Sequence, residues 1–262
     1  MKTILETKNL AKSFGAVTAA ANINVTIHEG EIVGVIGSNG AGKTTFINMV
    51  TGYLKPSEGS IQFRGQEMVG LSPRQVTRAG ICRSFQVAQL FPELTVLENM
   101  LIACSMLGEK RLQPFVPLKT QPSMKKAQES LEDYQIAEYS NSPVSTLPQG
   151  VRKLLDIAMA MIGGPSLLLL DEPTSGVAIE EKFGLMDTVM QAVTRSGAAS
   201  LFVEHDMEII SRYATRVIAF YDGHIIADAP TEEALHHPQV REYIIGSELH
   251  RSTAEGHNHA AN

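Results

Sequence analysis

The stretch EIVGVIGSNGAGKTTFINMV, residues 31–50, joins an apolar run to a glycine-rich loop and then to a helical pattern. This order predicts a strand, a loop and a helix. Glycines in such a loop let the backbone approach a phosphate closely, and successive N–H groups at the start of the helix can bind its oxygens. The stretch therefore predicts a phosphate site at the end of a strand.

The loop itself, GSNGAGKT at residues 37–44, satisfies the phosphate-loop pattern of nucleotide-binding proteins. In that pattern the lysine, here Lys43, reaches the β- and γ-phosphates, and the hydroxyl of Thr44 is a ligand of Mg²⁺. A glycine turn of purely structural use is the alternative, which the strand before the loop and the helix after it disfavour. We therefore expect a nucleotide site.

A second run, SLLLLDEP at residues 166–173, predicts a buried strand that ends in two carboxylates. Asp171 can hold Mg²⁺, generally through water, and Glu172 can orient and deprotonate the water that attacks a phosphate. Acidic residues after a strand also serve as plain helix caps, so the pair read alone leaves both interpretations open. Beside a phosphate loop, the pair supplies the base that hydrolysis needs.

Two further polar residues follow predicted strands. His205 in LFVEHD, residues 201–206, could contact the γ-phosphate, although a single histidine is more often structural. Gln86 follows ICRSF, residues 81–85, and on its own is most simply a surface glutamine. Because these signals alternate with strands along the chain, together they favour one functional site.

The segment VSTLPQGVRKLLDIAMAM, residues 144–161, predicts a tight corner followed by a helix. Apolar residues at helical spacing are expected to form its buried face: Leu154, Leu155, Ala158, Met161 and Ile162. A helix start offers unpaired N–H groups and a partial positive charge, which favour an anion. A loop and a core helix without a ligand is the simpler alternative.

The composition limits the classes of protein. Of the 262 residues, 44% are hydrophobic and 19% are charged, which is typical of a soluble globular protein. The formal charge of −6 argues against a broad nucleic-acid footprint. The longest apolar runs are too short to span a bilayer, and the two cysteines, Cys82 and Cys104, suit a reducing compartment. We expect a cytoplasmic protein that does not bind nucleic acid.

Strands and helices alternate at both ends of the chain around a helical middle, which predicts an α/β fold with a largely parallel sheet. Thr95 and Glu98 form a capping-box pattern that begins one helix, and the proline-containing residues 108–122 predict a linker. Short strands are expected at residues 4–8 and 22–27, and further helices at residues 123–138, at residues 150–162 and from about residue 179.

In this order the motifs resemble those of the ATP-binding subunit of an ABC transporter over nearly the whole chain. The resemblance implies an α/β P-loop NTPase (RecA-like) core with an N-terminal antiparallel β subdomain and an inserted α-helical subdomain. It implies a single ABC ATPase domain over residues 1–262, with a core at 1–87 and 156–246, a helical insert at 88–155 and a disordered tail at 247–262.

Three stretches of the sequence resemble one branch of that family in more detail. RSFQVAQLFPELTVLENMLIA (residues 83–103), VEHDM (203–207) and REYIIG (241–246) resemble the branch that takes up branched-chain and other hydrophobic amino acids, amides or urea. A sister group of the family, which exports lipopolysaccharide, shares part of these sequences. The resemblance therefore implies an ATPase that energises import of branched-chain amino acids or related solutes, with a lipopolysaccharide-type exporter as an alternative.

The resemblance also assigns roles to residues. It implies ATP and Mg²⁺ as cofactors, with Phe14 stacking on adenine and a signature segment that binds the ATP of a second subunit. Catalysis would involve Glu172, His205, Lys43 and Gln86, and Mg²⁺ would be held by Thr44, Gln86 and Asp171. The nucleotide would be bound by Phe14, Gly37, Ser38, Asn39, Gly40, Ala41, Gly42, Lys43, Thr44, Thr45, Leu147, Pro148, Gln149 and Gly150.

The signature departs from the family's Leu-Ser-Gly-Gly-Gln. Here the segment is Leu147–Val151, in which Pro148 lacks a hydroxyl and Val151 lacks an amide. Proline suits the first turn of a helix, so the corner is expected to persist. Ala178, in SGVA at residues 175–178, stands where the family usually has an aspartate. These departures bear on the rate of hydrolysis more than on the fold.

By resemblance, the partners are a second ATP-binding subunit in a head-to-tail dimer, the transmembrane permease subunits and, indirectly, a substrate-binding protein. The chain would lie at the cytoplasmic face of the inner membrane. One further alternative is a nucleotide-gated subunit with impaired turnover. Another is a soluble ATPase of DNA repair or translation, which the lack of a second cassette and of basic tracts disfavours.

Overall fold

A computed structural model of the chain describes residues 2–84, 88–106 and 119–246. Gln86, residues 108–118 of the predicted linker and the tail at 247–262 lie outside the described residues. Within these three ranges, no helix is both long enough and apolar enough to cross a membrane.

The strands and helices alternate along the described chain. In chain order the strands are β1 (Thr3–Phe14), β2 (Val17–His28), β3 (Ile32–Gly37), β4 (Glu58–Phe63), β5 (Gln66–Glu67), β6 (Ile81–Ser84), β7 (Leu167–Asp171), β8 (Ala199–Val203), β9 (Arg216–Tyr221) and β10 (His224–Pro230). The helices are α1 (Lys43–Val50), α2 (Pro73–Ala79), α3 (Val96–Met106), α4 (Gln121–Asp133), α5 (Gln149–Met161), α6 (Ile179–Ser196), α7 (Met207–Tyr213), α8 (Thr231–His236) and α9 (Pro238–Val240). Short 3-10 turns lie at Ala137–Tyr139 and Val144–Thr146, and a π-helical turn at Arg241–Ile245 follows α9.

The chain divides into two compact units. Of the described residues, the first unit contains 2–4, 27–31 and those within 71–202, and the second contains 5–26, 32–70 and 203–246. The division into a core and a helical insert at residues 88–155 stays a prediction.

In the first unit, β7 lies between β6 and β8. β6 and β7 are parallel, with Arg83 opposite Leu169. The side chains of residues 167–170 are all fully buried, as expected for a strand covered on both faces. Helices α3, α4 and α5 pack on one another, and α5 also packs on β6 and α6. The end of β7, where Asp171 lies, is therefore set in a closely packed core.

The second unit contains most of an antiparallel sheet and a smaller group of strands beside it. The sheet has the order β2, β1, β4, β5, and β4 pairs antiparallel with both β1 and β5. Beside it, β3 pairs parallel with β9, and β9 forms an antiparallel hairpin with β10. The α/β class and the N-terminal antiparallel sheet are confirmed.

The bounds of three elements, β1, β2 and α4, differ from the predicted ones. β1 and β2 are each 12 residues long, because antiparallel pairing continues through polar residues beyond the apolar stretches at 4–8 and 22–27. α4 begins two residues before the predicted start, at a capping box between Thr120 and Ser123, and it ends at Asp133. Gln135 has φ 57°, a left-handed conformation that a helix cannot pass through. The predicted start of α3 at its capping box is confirmed, since Oε2 of Glu98 accepts the N–H of Thr95 at 3.0 Å.

Candidate nucleotide site

The phosphate loop lies in the second unit, between the end of β3 and the start of α1. Gly37 has φ 150°, and a Cβ on it would lie 2.4 Å from the carbonyl oxygen of Phe220. Gly42 has φ 104°, and a Cβ there would lie 2.8 Å from the carbonyl oxygen of Ala19. Both positions require glycine, because a side chain would collide with the backbone of another strand. Strands outside the motif therefore leave no room for a side chain at these two positions of the loop.

Lys43, the lysine of the motif, is only 6% exposed. Its ammonium donates to the carbonyl oxygens of Gly37 and Ser38, the latter at 3.0 Å. Thr44 is exposed in the first turn of α1. Within the described chain, no side chain caps the start of α1, and its first turn contains no acidic residue. The loop thus presents a lysine and the positive end of a helix, which fits the phosphates of a nucleotide.

Phe14 ends β1 and is 53% exposed, which is a large exposure for an aromatic side chain. The ammonium of Lys12 lies 5.1 Å from the centre of its ring, within cation–π distance. An exposed ring is a surface on which a flat aromatic base can stack. The contact of Phe14 with adenine stays a prediction, and the exposure of the ring is compatible with it.

We expect Phe14→Ala to weaken ATP binding by about 1–2 kcal/mol, because the stacking surface is lost. Phe14→Tyr keeps the ring and should bind ATP nearly as the parent does. Isothermal titration calorimetry measures both affinities. The control is Phe91→Ala, which removes a ring that is 49% exposed from the first unit and should leave the affinity unchanged. Equal affinities of Phe14→Ala and the parent would exclude this role for Phe14.

His205 lies in the second unit, two residues after the end of β8, and is half-buried. The residue before it, Glu204, is 4% exposed, and its backbone N–H donates to the carbonyl oxygen of Val35 in β3 at 3.3 Å. The carboxylate of Glu204 accepts the N–H of His205, also at 3.3 Å. His205 is therefore tethered beside the strand that leads into the phosphate loop. Its contact with the γ-phosphate remains a prediction.

The acidic pair lies in the first unit, where Asp171 ends β7 and Glu172 follows it. Asp171 is 7% exposed, and its Oδ2 accepts a hydrogen bond from Nη2 of Arg83 at 2.6 Å. Arg83 comes from β6, 88 positions earlier in the chain, and its side chain is 8% exposed. A carboxylate at this depth needs a cation beside it. Arg83 therefore neutralises Asp171 and orients one of its oxygens.

Arg83→Met is expected to lower the free energy of unfolding by about 3 kcal/mol, because Asp171 would stay buried without its cation. Arg195→Met is the matched control, since it removes an arginine from an exposed pair with Asp133 and should cost less than about 1 kcal/mol. Urea unfolding followed by circular dichroism measures both changes. If the free energy of unfolding falls equally in the two variants, the buried pair does not stabilise the first unit.

Both cysteines have weakly reactive thiols. Cys82, next to Arg83 on β6, is buried, and burial raises the pKa of its thiol to about 11. Burial also raises the pKa of Cys104, which is half-buried on α3. Both thiols are therefore protonated near neutral pH and poor nucleophiles.

The signature lies at the start of α5 in the first unit. The helix begins at Gln149, and Pro148 precedes it as the N-cap residue in an extended conformation. The N–H of Arg152 donates to the carbonyl oxygen of Pro148 at 3.1 Å, and Leu147 is buried beneath the corner. The part of the chain that is described provides no side-chain cap for α5, and its first turn contains no acidic residue. This helix start can therefore receive an anion.

The SGVA loop and α6 lie against the signature. A Cβ on Gly176 would lie 3.7 Å from Cγ of Gln149, and a Cβ on Gly150 would lie 3.4 Å from Oε2 of Glu181. Ala178 is exposed and is the N-cap residue of α6. The first unit therefore brings the signature close to the SGVA loop and to the first turn of α6.

The buried face of α5 is only partly the predicted one. Of the five residues predicted to be buried, Leu155, Ala158 and Ile162 are buried, whereas Leu154 and Met161 are half-buried. The face also contains Ile157 and two charged residues, Lys153 and Asp156. Because α5 packs on α3, α6 and β6, the buried part of its surface is wider than the single apolar stripe that the sequence predicts.

Sequence analysis missed two residues that the structure places beside the acidic pair. Arg83 pairs with Asp171, and Nζ of Lys153 donates to the carbonyl oxygen of Glu172 at 3.3 Å. Arg83 follows the apolar residues Ile81 and Cys82, which was a signal available in the sequence, whereas Lys153 stands next to the charged Arg152, so no local pattern distinguished it. Gln86 lies outside the described residues, so its predicted contacts remain a prediction.

The fold and the loop define the class of protein. A strand that ends in a glycine loop, a buried lysine and a helix start that accepts an anion are the parts of a P-loop nucleotide-binding protein. The family model described as ABC transporter matches residues 20–175, which is more than half of the chain. The chain belongs to this family. It is the ATP-binding subunit of an ABC transporter and an ATPase.

Curated relatives and solved structures agree with this assignment. The probable branched-chain amino acid transport ATP-binding protein LivG of Archaeoglobus fulgidus is 34% identical over 248 residues, covering 94% of this chain and 96% of that protein. A crystal structure of the ADP conformation of an ATP-binding cassette has a TM-score of 0.83 at 31% identity and covers 94% of this chain and 100% of its own. A dimeric cassette in a post-hydrolysis state with ADP and Pi has a TM-score of 0.74 at 26% identity, with coverages of 87% and 99%. The predicted P-loop NTPase fold is confirmed.

Proposed function

We propose that this subunit hydrolyses ATP as one half of a head-to-tail dimer and energises import of branched-chain amino acids or related small solutes through permease subunits. The observation that carries the proposal is the similarity, over 94% of this chain, to a relative named for branched-chain amino acid transport. The subunit would work at the cytoplasmic face of the inner membrane, with a substrate-binding protein as an indirect partner.

The phosphate loop and Phe14 bind ATP in this proposal. Lys43 leaves its two carbonyl partners for the β- and γ-phosphate oxygens, which are stronger acceptors because they are charged. Thr44, Asp171 and Gln86 would hold Mg²⁺, which neutralises charge on the phosphates. The exposure of Thr44 in the first turn of α1 is compatible with its part in this assignment, and so, separately, is the ion pair that orients the carboxylate of Asp171.

Glu172 is the base of hydrolysis in this proposal. Its carboxylate accepts the proton of the water that attacks the γ-phosphate. Lys43 and His205 stabilise the charge that develops on the phosphoryl group, and Gln86 orients the reacting groups. Glu172 is half-buried and directly follows the last residue of β7, which supports a defined position for its side chain.

The signature of each subunit contacts the ATP bound by the other in this proposal. Because Pro148 has no hydroxyl, the contact relies on the N–H of Gly150 and on the positive end of α5. ATP drives closure because it binds the closed dimer more tightly than the open one. The preserved corner before α5 supports this role.

The departures at Pro148, Val151 and Ala178 favour a second candidate, a nucleotide-gated subunit with impaired turnover. Such a subunit would close on ATP and reopen slowly. The lipopolysaccharide-type exporter is the other alternative, and it differs in the direction and chemistry of transport.

Reconstitution of the complete transporter with its permeases in proteoliposomes tests the proposal. We expect ATP to drive uptake of radiolabelled leucine delivered with the binding protein, together with release of phosphate. Nucleotide-dependent closure without phosphate release would instead support the gated subunit. Outward movement of a lipid-linked saccharide, without leucine uptake, would support the exporter.

A further inference from the structure

Two charged residues lie on the buried face of α5, the helix that the signature begins. Lys153 is 1% exposed, and Asp156, three residues later, is 7% exposed. Nζ of Lys153 donates to the backbone carbonyl oxygen of Glu172 at 3.3 Å. Oδ1 of Asp156 accepts the N–H of Gln89 at 3.1 Å. The signature helix therefore contacts both the proposed base and the segment that follows Gln86.

The backbone of Glu172 has an unfavourable conformation. Its φ is 48°, in the left-handed region, which costs a residue with a Cβ about 1–2 kcal/mol. Pro173 follows, and a residue before proline favours an extended conformation instead. The carbonyl oxygen of Glu172 accepts the N–H of Ser175 at 3.1 Å as well as the ammonium of Lys153. The N–H of Ser175 and the ammonium of Lys153 thus hold this strained peptide, and the ammonium comes from the signature helix.

Stability alone is a poor reason for a lysine at this position. Burying an ammonium is costly even when polar groups surround it, and an apolar side chain of similar length often serves a folded core as well or better. The position of Lys153 is better explained by what its ammonium holds. Fixing the carbonyl oxygen of Glu172 also fixes the direction in which the side chain of Glu172 leaves the backbone.

We propose that Lys153 is a positioning residue for ATP hydrolysis, which holds the peptide of Glu172 so that its carboxylate faces the attacking water. The inference rests on the proposed role of Glu172 as the base. Lys153 lies two residues beyond the signature on the same helix, so a movement of α5 on contact with the second subunit's ATP is transmitted to the same peptide. The signature and the base are thereby linked within one subunit.

Lys153→Met in the complete transporter is expected to lower kcat for ATP about tenfold, with KM for ATP within about twofold, because a small displacement of a reacting group is costly. Lys153→Arg keeps a donor and should recover at least about half of the parent kcat. Thr188→Val is the matched control. Thr188 is 7% exposed and its hydroxyl donates to the carbonyl oxygen of Gly184 at 3.0 Å, so the change removes a similar buried contact from α6 and should keep the parent kcat.

A second comparison separates positioning from a general loss of structure. In a Glu172→Gln background, Lys153→Met should lower the residual turnover by less than about twofold, because no base is left to position. If Lys153→Met lowers Tm so far that the complex does not form, Lys153→Gln, which is too short to reach the carbonyl, replaces it. A kcat equal to that of the parent in Lys153→Met or in Lys153→Gln, or an equal loss in both backgrounds, would overturn the inference. Parental turnover in Glu172→Gln alone would overturn the proposed base instead.

Discussion

Glu172→Gln is expected to lower ATP turnover by about 100-fold or more while ATP affinity stays within a few-fold of the parent. The amide has the size of the carboxylate but cannot take the proton of the attacking water. The phosphate loop, including Lys43, is not altered by the change. Because bound ATP is no longer consumed, the variant should accumulate as an ATP-bound dimer. Phosphate release measures turnover, and size-exclusion chromatography with ATP measures the dimer.

Glu129→Gln is the control for this experiment. It makes the same chemical change on α4, at a side chain that is 61% exposed and pairs with Lys125. Its turnover and its oligomeric state should equal those of the parent. Near-normal hydrolysis by Glu172→Gln would remove Glu172 from the mechanism, and the base would then have to be sought elsewhere in the chain.

Gly150→Asp is expected to abolish dimerisation with ATP. The change places a carboxylate at the start of α5, where the proposal puts the γ-phosphate bound by the second subunit. The carboxylate and the phosphate are both anions, so they repel each other at close range. ATP affinity of the single subunit should stay within a few-fold, because ATP binds first to the phosphate loop. The measurement is made in the Glu172→Gln background, in which the ATP-bound dimer is expected to accumulate.

Glu181 offers a competing explanation within the same subunit. A Cβ on residue 150 would lie 3.4 Å from Oε2 of Glu181, so a new aspartate would face this carboxylate as well. Gly150→Ala tests the steric effect alone and should still dimerise. Gly150→Asp combined with Glu181→Gln removes the internal repulsion and should still remain monomeric. A dimer formed by that double variant would show that Glu181 blocked closure, and the assignment of the signature would be wrong.

Local patterns predicted the starts of several elements to within a residue. α3 begins at Val96 directly after the capping box of Thr95, α5 begins at Gln149 after the Pro148 corner, and α6 begins at Ile179. Caps, prolines and apolar spacing act over a few neighbouring residues. The local sequence is therefore sufficient to predict where these helices begin.

Other boundaries depended on interactions that no local pattern contains. β1 continues to Phe14 because its polar residues pair with β4, as Lys8 does with Ser60. α4 ends at Asp133, and the left-handed conformation of Gln135 follows from its surroundings rather than from its residue type. The predictions that relied on apolar stretches alone were therefore too short for β1 and too long at the end of α4.

By itself the sequence determined the nucleotide chemistry of this protein, through the phosphate loop, the Asp171-Glu172 pair and their order between strands. Only the tertiary structure decided which charged groups support that pair, since Arg83 meets Asp171 from 88 positions away and Lys153 reaches the peptide of Glu172 from another helix. It also decided that Gly37 must be glycine, because the carbonyl oxygen of Phe220 lies against it. Motif spacing is a property of neighbouring residues. The burial of a charge and the close approach of two backbones depend instead on which distant segments pack together.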